Sequence, residues 1–303
     1  MKQPTFGSAV ADPLGPADIS DYVFERFRDL IYREAGISLT EAKKMLLVGR
    51  LAGRLRELGI TSFARYYDVV ADPAATDERA RMLDRICTNE THFFRDPRQW
   101  EFLEQQFFPR VDARAADGGS RRVRAWSAAC STGEEPYSLA MTLLSHFPPE
   151  AGWQIDILAT DLSTKVLRMA RAGLWPIDKA ADIPLAHRKA FMLRGTGSQS
   201  GKMKAGPEIR SVITFERLNL NHTVYPIRGP FDLIFCRNVL IYFDHPSKSS
   251  VVERLLRHLA PGGCLFMGYA ETTTGISDGL VSVGPNVYGR ADDVWGNRGS
   301  RTL

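Results

Sequence analysis

The chain has 303 residues, 44% hydrophobic and 24% charged, which excludes a disordered polymer and leaves room for two domains around a sizeable core. A formal net charge of +4 and a pI of about 8.9 are too mild to demand nucleic acid as a partner, and they permit an acidic protein surface. Cys87, Cys130, Cys236 and Cys264 form no Cys-x-x-Cys pair, which argues against a metal site or disulfide framework and fits a reducing cytoplasm; no apolar run approaches the roughly 20 residues of a membrane span. Met1 to Pro16 lacks the apolar core of a signal peptide and reads as a flexible leader, as does the tail from Asp292.

From Asp18 to Ala35, Val23, Phe24, Phe27, Leu30 and Ile31 recur at helical spacing, and Gly36 supplies the stop. A second helix after Thr40 buries Leu47, Val48, Leu51, Leu55 and Leu58 and stops at Gly59. Its other face carries Lys43, Lys44, Arg50, Arg54 and Arg56, either a solvated surface or a docking strip for an acidic partner. A third helix holds Phe63, Tyr66, Tyr67 and Val70, and a fourth runs from Thr76 through Met82, Leu83 and Ile86. Residues 18–88 thus read as an all-α domain without strand signals.

Residues 89–121 read as a linker with a connecting helix. Asp96-Pro97 is a helix-start signature, with Asp at the N-cap and Pro at the first position, and Trp100, Leu103 and Phe107 give the apolar stripe. Just before it stand side chains able to hold a ligand: Asn89, Thr91, His92 and Arg95. Phe93 and Phe94 read as core anchors, and a single His without a partner is weak support for a site.

Strands and helices then alternate over residues 122–291. Val123 to Trp126 is a strand, Ser127 to Gly133 a turn of small residues, and Glu134 opens a helix. Such a turn lets a ligand lie against the backbone at free helix N–H groups. It has one glycine and is not Gly-x-Gly-x-x-Gly; Glu134 and Glu135 would repel a pyrophosphate but suit a cofactor with hydroxyls, an amine or a positive centre, as in S-adenosylmethionine. Asp161 ends the second strand, placed either to accept from a ribose or to cap the helix Thr164 to Ala172. A Gly- and Ser-rich stretch at about 194–213 reads as a small inserted hairpin before a strand that exits at Arg217 to Leu220, where Asn219 could meet an adenine edge and Leu220 its ring. Phe231 to Cys236 is a buried parallel strand delivering Arg237, Asn238 and Tyr242 to the same edge. Pro261-Gly262-Gly263 reads as the turn into a fifth strand, and segments at Leu280 to Val283 and Val287 to Tyr288 complete a seven-stranded sheet as an antiparallel pair.

Taken together, Thr88-Asn-Glu-Thr-His-Phe-Phe-Arg95, Trp126-Ser-Ala-Ala-Cys-Ser-Thr-Gly-Glu-Glu-Pro-Tyr-Ser138, Ala159-Thr-Asp161, Phe235-Cys-Arg-Asn-Val-Leu-Ile-Tyr-Phe-Asp244 and Pro261-Gly-Gly263 resemble the CheR family of chemotaxis receptor protein-glutamate O-methyltransferases over roughly Ser20 to Tyr288. The resemblance implies an α/β, Rossmann-like S-adenosylmethionine-dependent methyltransferase sheet, with an N-terminal all-α domain and a small inserted β-subdomain. It implies that Asn89, Thr91, Arg95, Glu135, Asp161, Asn219, Leu220, Arg237 and Asn238 line the cofactor pocket, with Arg95 and Tyr242 beside the transferred methyl. Arg50, Arg54 and Arg56 match the family's basic receptor-docking helix, although Gly53 stands where another basic residue is expected. The hairpin matches the receptor-tethering subdomain, a candidate grip for a receptor's C-terminal peptide. The implied partners are the cytoplasmic helices of chemoreceptors, with no nucleic acid, no metal and no membrane insertion; the implied product is S-adenosylhomocysteine.

Two rivals differ in class. A nucleic-acid methyltransferase would fit the basic face, but amine-methylating enzymes often carry Asn/Asp-Pro-Pro-Tyr after strand four, and Asn238-Val-Leu-Ile-Tyr242 lacks those prolines. A binding module without turnover would not need both Arg95 and Tyr242.

Overall fold

Helical spacing in the first third and strand-helix alternation in the rest give two units in the computed structural model, which describes residues 18–271 and 277–293. The leader at Met1 to Pro16 and the tail beyond residue 293 lie outside the described residues. One unit runs up to Arg33 and adds Ser38–Cys87; the other takes Glu34–Ile37 and everything from Thr88.

The first unit contains most of α1 (Asp21–Ala35), then α2 (Lys44–Glu57), α3 (Phe63–Ala71) and α4 (Thr76–Ile86). Val23, Phe24, Phe27, Leu30 and Ile31 are buried, as the α1 periodicity predicts. The Phe27 ring meets the edges of Phe63 and Tyr67 at centroid distances of 6.4 and 5.2 Å. Ser62 caps α3 by accepting from the Arg65 amide. Leu58 departs from the expected stripe: it is the C-cap of α2 and is exposed.

In the second unit α5 (Pro97–Phe102) continues through one π-helical turn, Leu103–Phe107, into α6 (Phe108–Ala116). These residues do more than link domains, because Trp100, Phe102, Leu103 and Phe107 are buried in the same core as strand residues Val123, Phe235 and Phe266. The chain then forms β1 (Arg122–Ala128), α7 (Glu134–His146), β2 (Gln154–Asp161), α8 (Thr164–Ala172), β3 (Leu174–Pro176), α9 (Leu185–Phe191), β4 (Met192–Arg194), β5 (Lys202–Ala205), α10 (Pro207–Ser211), β6 (Ile213–Arg217), β7 (Phe231–Cys236), α11 (His245–His258), β8 (Leu259–Met267), β9 (Leu280–Gly284) and β10 (Val287–Arg290). Seven strands make one sheet in the order β6-β2-β1-β7-β8-β10-β9. Its first five are mutually parallel, and β10 runs antiparallel to both β8 and β9.

Two elements differ from the sequence reading. The inserted piece is a three-stranded antiparallel sheet, β3-β5-β4, that begins at Leu174 rather than near 194. Strands of three residues carry no readable alternation, and Pro207 starts a helical turn inside the stretch that reads as a hairpin. Pro261-Gly262-Gly263 lies within β8 as a bulge: Phe231 pairs with Leu259, but Leu233 already pairs with Cys264. A Cβ on Gly263 would stand 2.9 Å from the carbonyl oxygens of both Ala260 and Asp232, so only glycine fits that approach.

Candidate active site

Ala128, Thr160 and Cys236 are register partners across β2, β1 and β7, so the carboxyl ends of three adjacent parallel strands lie level. The loops leaving that edge meet there, as in other open α/β sheets. The turn after β1 is tightly wound: Ala129, Ser131 and Gly133 all have positive φ, and only Gly133 is free of a Cβ penalty. A Cβ on Gly133 would press on Ala170 at 3.0 Å. Cross-bonds hold the strained turn. The Cys130 amide donates to the Thr160 carbonyl (2.9 Å), and the Ser131 amide donates to Asp161 Oδ2 (2.9 Å). Asp161 Oδ1 accepts from the Ser163 amide (2.9 Å), while Ser163 itself caps α8 through the Val166 amide. Asp161 therefore braces the turn and leaves the capping to Ser163.

The two acids that open α7 have separate roles. Glu134 is fully buried and pairs with Lys179, from the 3-10 turn Ile177–Asp182, while accepting from the Thr132 hydroxyl at 2.6 Å. Lys179 also donates to the Thr91 carbonyl (3.3 Å). Glu135 faces the strand edge instead: Ser127 Oγ donates to it at 2.7 Å, and Arg237 Nη1 lies 3.4 Å away. Burial pushes the Glu135 carboxyl up; the charges of Arg237 and Arg95 and the Ser127 bond oppose that shift only in part.

Arg237 knits the site together. Its side chain is 2% exposed, and Nη2 donates to Asp96 Oδ2 at 2.5 Å and to the Arg95 carbonyl at 2.8 Å. Asp96 thus differs from its sequence reading. It adopts left-handed backbone (φ 60°) and makes no side-chain capping bond, because its carboxylate is held by Arg237. The Asn89 carbonyl accepts from Ser131 Oγ (2.9 Å), which ties the Asn89–Arg95 segment to the turn. Phe93 and Phe94 anchor that segment against Trp175 and Trp100.

Arg95, Glu135 and Arg237 are thereby brought together, with Asn89 and Asp161 both bonded to Ser131 and Asn238 next along the chain. Arg217 pairs with Asp161 in register and the Leu218 amide donates to the Asp161 carbonyl, so Asn219 and Leu220 follow at the same edge. The Asn219 side chain is already engaged, donating to the Glu34 carbonyl (2.6 Å) and accepting from the Asn221 amide (2.9 Å). Leu220 is buried beside Leu218 and Tyr225. Tyr242 ends a 3-10 turn, Leu240–Tyr242, and is half-buried.

A cofactor with both an anionic and a cationic group fits these residues. Among the described residues, Gln99 Oε1, Arg124 Nε, Arg237 Nε and Asn238 Oδ1 are buried without a hydrogen-bond partner; the last two are a donor and an acceptor on consecutive residues at the exit of β7. Unpartnered buried polar atoms are costly, and a bound carboxylate, amine or hydroxyl would satisfy them.

On α2 the expected basic face is not uniform. Arg54 is turned into its own bundle, with Nε and Nη2 on Glu78 (2.9 and 2.5 Å) and Nη1 on Glu57 (2.9 Å). Lys44 pairs with Asp21, and Arg50 donates to the Cys87 carbonyl. Arg56 is exposed. Spacing alone could not separate the inward from the outward arginines, since Glu78, the partner that decides it, lies on another helix.

Sequence reasoning missed the bonds that Asp96 and Lys179 make here. Asp96 carried a stronger local signal as a cap, and Lys179 sits far along the chain from Glu134 and Thr91.

Family models match the chain from end to end of this architecture: "CheR methyltransferase, all-alpha domain" over residues 23–87 and "CheR methyltransferase, SAM binding domain" over residues 89–286. Among curated relatives, a "Probable chemotaxis protein methyltransferase" of Rhizobium etli is 40% identical over 246 residues, covering 81% of this chain and 91% of the relative. "Chemotaxis protein methyltransferase 2" of Pseudomonas aeruginosa is 39% identical, covering 88% and 92%. A "Chemotaxis protein methyltransferase" of Escherichia coli K12 is 35% identical, covering 91% and 93%.

Proposed function

The chain belongs to the CheR methyltransferase family, an S-adenosylmethionine-dependent protein-glutamate O-methyltransferase of chemoreceptors, and we propose that Arg95 and Tyr242 aim the reacting groups at the carboxyl edge of β1, β2 and β7. The bound donor supplies an electrophilic methyl on a sulfonium sulfur, and the products are a glutamate methyl ester and S-adenosylhomocysteine. A solvent-exposed glutamate, with a pKa near about 4.3, is already a nucleophile at neutral pH, so the protein need not remove a proton. What its residues must supply is alignment, and well-oriented groups gain up to about 7–11 kcal/mol that way.

In this reading Arg237 and Asn238 receive the donor's amino-acid end, because their Nε and Oδ1 are a buried donor and a buried acceptor without partners on consecutive residues. That pair is the observation that carries the proposal. Asn89, Thr91 and Glu135 line the same end, Asp161 accepts from the ribose, and Asn219 and Leu220 border the adenine. Arg95 guides a carboxylate, and the Tyr242 hydroxyl orients the reacting groups. Arg50 and Arg56 on α2 dock the receptor's cytoplasmic helices, with Arg54 bracing that helix from within, and the β3-β5-β4 sheet tethers a receptor C-terminal peptide. With such a substrate the reaction takes place in the cytoplasm.

Methyl-labelled donor mixed with receptor-bearing membranes should place base-labile label on the receptor and none on RNA or DNA controls. Arg95→Ala should abolish transfer while leaving the protein folded; near wild-type transfer by that variant would falsify the role given to Arg95.

A further inference from the structure

Three successive backbone amides at the exit of β7 converge on one side chain that belongs to a different loop. Glu271, in the turn after β8, is 4% exposed. Its Oε1 accepts from the amides of Val239 (2.9 Å) and Leu240 (2.7 Å). Its Oε2 accepts from the amides of Asn238 (3.0 Å) and Gly268 (2.6 Å). A buried carboxylate with four amide donors is well satisfied, and the donors fix its position in return.

The receiving loop is itself anchored. Asn286 Nδ2 donates to the Gly268 and Glu271 carbonyls, both at 3.1 Å, and Gln99 Nε2 donates to the Met267 carbonyl at 2.8 Å. Contact between the two loops is tight: a Cβ on Gly268 would stand 2.7 Å from Asn238 Nδ2 and 2.9 Å from the Asn238 amide nitrogen. Asn238 has left-handed backbone, φ 58°, a conformation that persists in a non-glycine residue when its surroundings hold it there. The caged amides also open the turn that carries Tyr242, whose own amide donates to the Val239 carbonyl (3.2 Å).

We propose that Glu271 is a positioning residue for methyl transfer: it holds the Asn238–Tyr242 turn in register with the end of β7, and so sets where Asn238 and Tyr242 stand. The proposal rests on the roles given above to those two residues.

Glu271→Gln keeps the shape but turns an NH2 group toward one pair of amide donors, leaving both without their acceptor. Initial rates against both substrates should show kcat lowered at least 30-fold, with S-adenosylhomocysteine affinity by calorimetry lowered several-fold. Glu271→Asp, which keeps the charge but withdraws it, should fall between that variant and the wild type. The decisive readout is a double-mutant cycle with Tyr242→Phe. If Glu271 acts through Tyr242, Glu271→Gln should cost kcat much less in the Tyr242→Phe background than in the wild type. Full activity of Glu271→Gln, or losses that simply multiply, would overturn the proposal. A Tyr242→Phe enzyme with unchanged kcat would instead sink the role given to Tyr242, which separates the two failures. Should the Gln variant not fold, amide hydrogen exchange on the wild-type protein decides: Asn238, Val239 and Leu240 should be protected although they lie outside regular strands, and fast exchange there would overturn the cage.

Discussion

Arg54 of the helical unit and Arg237 at the end of β7 make an instructive pair. Each is bracketed by two carboxylates, and their side chains are 12% and 2% exposed. Arg54 uses all three guanidinium nitrogens on Glu57 and Glu78. Arg237 places Nη2 on Asp96 and the Arg95 carbonyl and has Nη1 near Glu135, yet its Nε has no partner. Arg54, with all its donors used, is a brace. The spare Nε of Arg237 gains its meaning from its place, because Arg124 Nε, near the amino end of β1, is also buried without a partner and lies away from the loops that leave the carboxyl edge. Burial and charge are alike in Arg54 and Arg237; in the reading proposed above, the unused donor at that edge is what separates them.

The sharpest way to break that contrast is at Arg237. Arg237→Ala strands two largely buried carboxylates, and losing one partner of a buried ion pair typically costs about 3–5 kcal/mol. Stability in urea should fall by that order, and S-adenosylhomocysteine binding should vanish from calorimetry. Arg237→Lys keeps the charge without the fork and should fold while binding at least tenfold more weakly. Wild-type affinity in the Lys variant would mean that the orphaned Nε receives nothing.

Arg54→Met probes the other half. It leaves Glu78 beside a thioether and should destabilise by roughly 3 kcal/mol, the lower end of the same range, because Arg54 retains some contact with water. Affinity for S-adenosylhomocysteine should stay within about twofold of the wild type, since every Arg54 bond described here ends inside the helical unit. A parallel loss of affinity would erase the distinction drawn between the two arginines.

This division was only partly legible in the sequence. Long periodic elements were readable: α8 and β7 have the boundaries that their apolar pattern predicts, and the antiparallel β9-β10 pair stands where the late apolar segments put it. The small sheet was not, because β3 and β4 are three residues each and their stability comes from pairing with β5. At the site, Arg237 and Glu135 could be named from their place after a strand and at a helix start. Their contact with Asp96 could not, since the Asp96-Pro97 cap signal pointed to a local bond in place of one spanning 141 residues. Glu271 was invisible for the same reason: its ligands are backbone amides, which leave no trace in a residue pattern.

The smallest effect, and the one that sharpens the contrast most finely, is a pH dependence at Glu135. Burial raises this carboxyl above the usual glutamate range, with Arg237 and Ser127 offsetting only part of the shift. For stability the sign is fixed: a raised folded-state pKa means that Glu135's contribution is full below the unfolded value, about 4.3, and is lost as pH rises through the folded one. For binding the sign is opposite, because the ionised carboxylate is the form that suits a cationic amine. Acidifying through the folded-state pKa of Glu135 should therefore weaken S-adenosylhomocysteine binding, with no Glu135-linked loss of stability over the same range. Glu135→Gln should bind weakly and with a flat profile. A wild-type affinity that does not change with pH, or a Gln variant that retains the wild-type slope, would detach Glu135 from the cofactor's charge and leave it, like Glu78, an internal brace for its arginine.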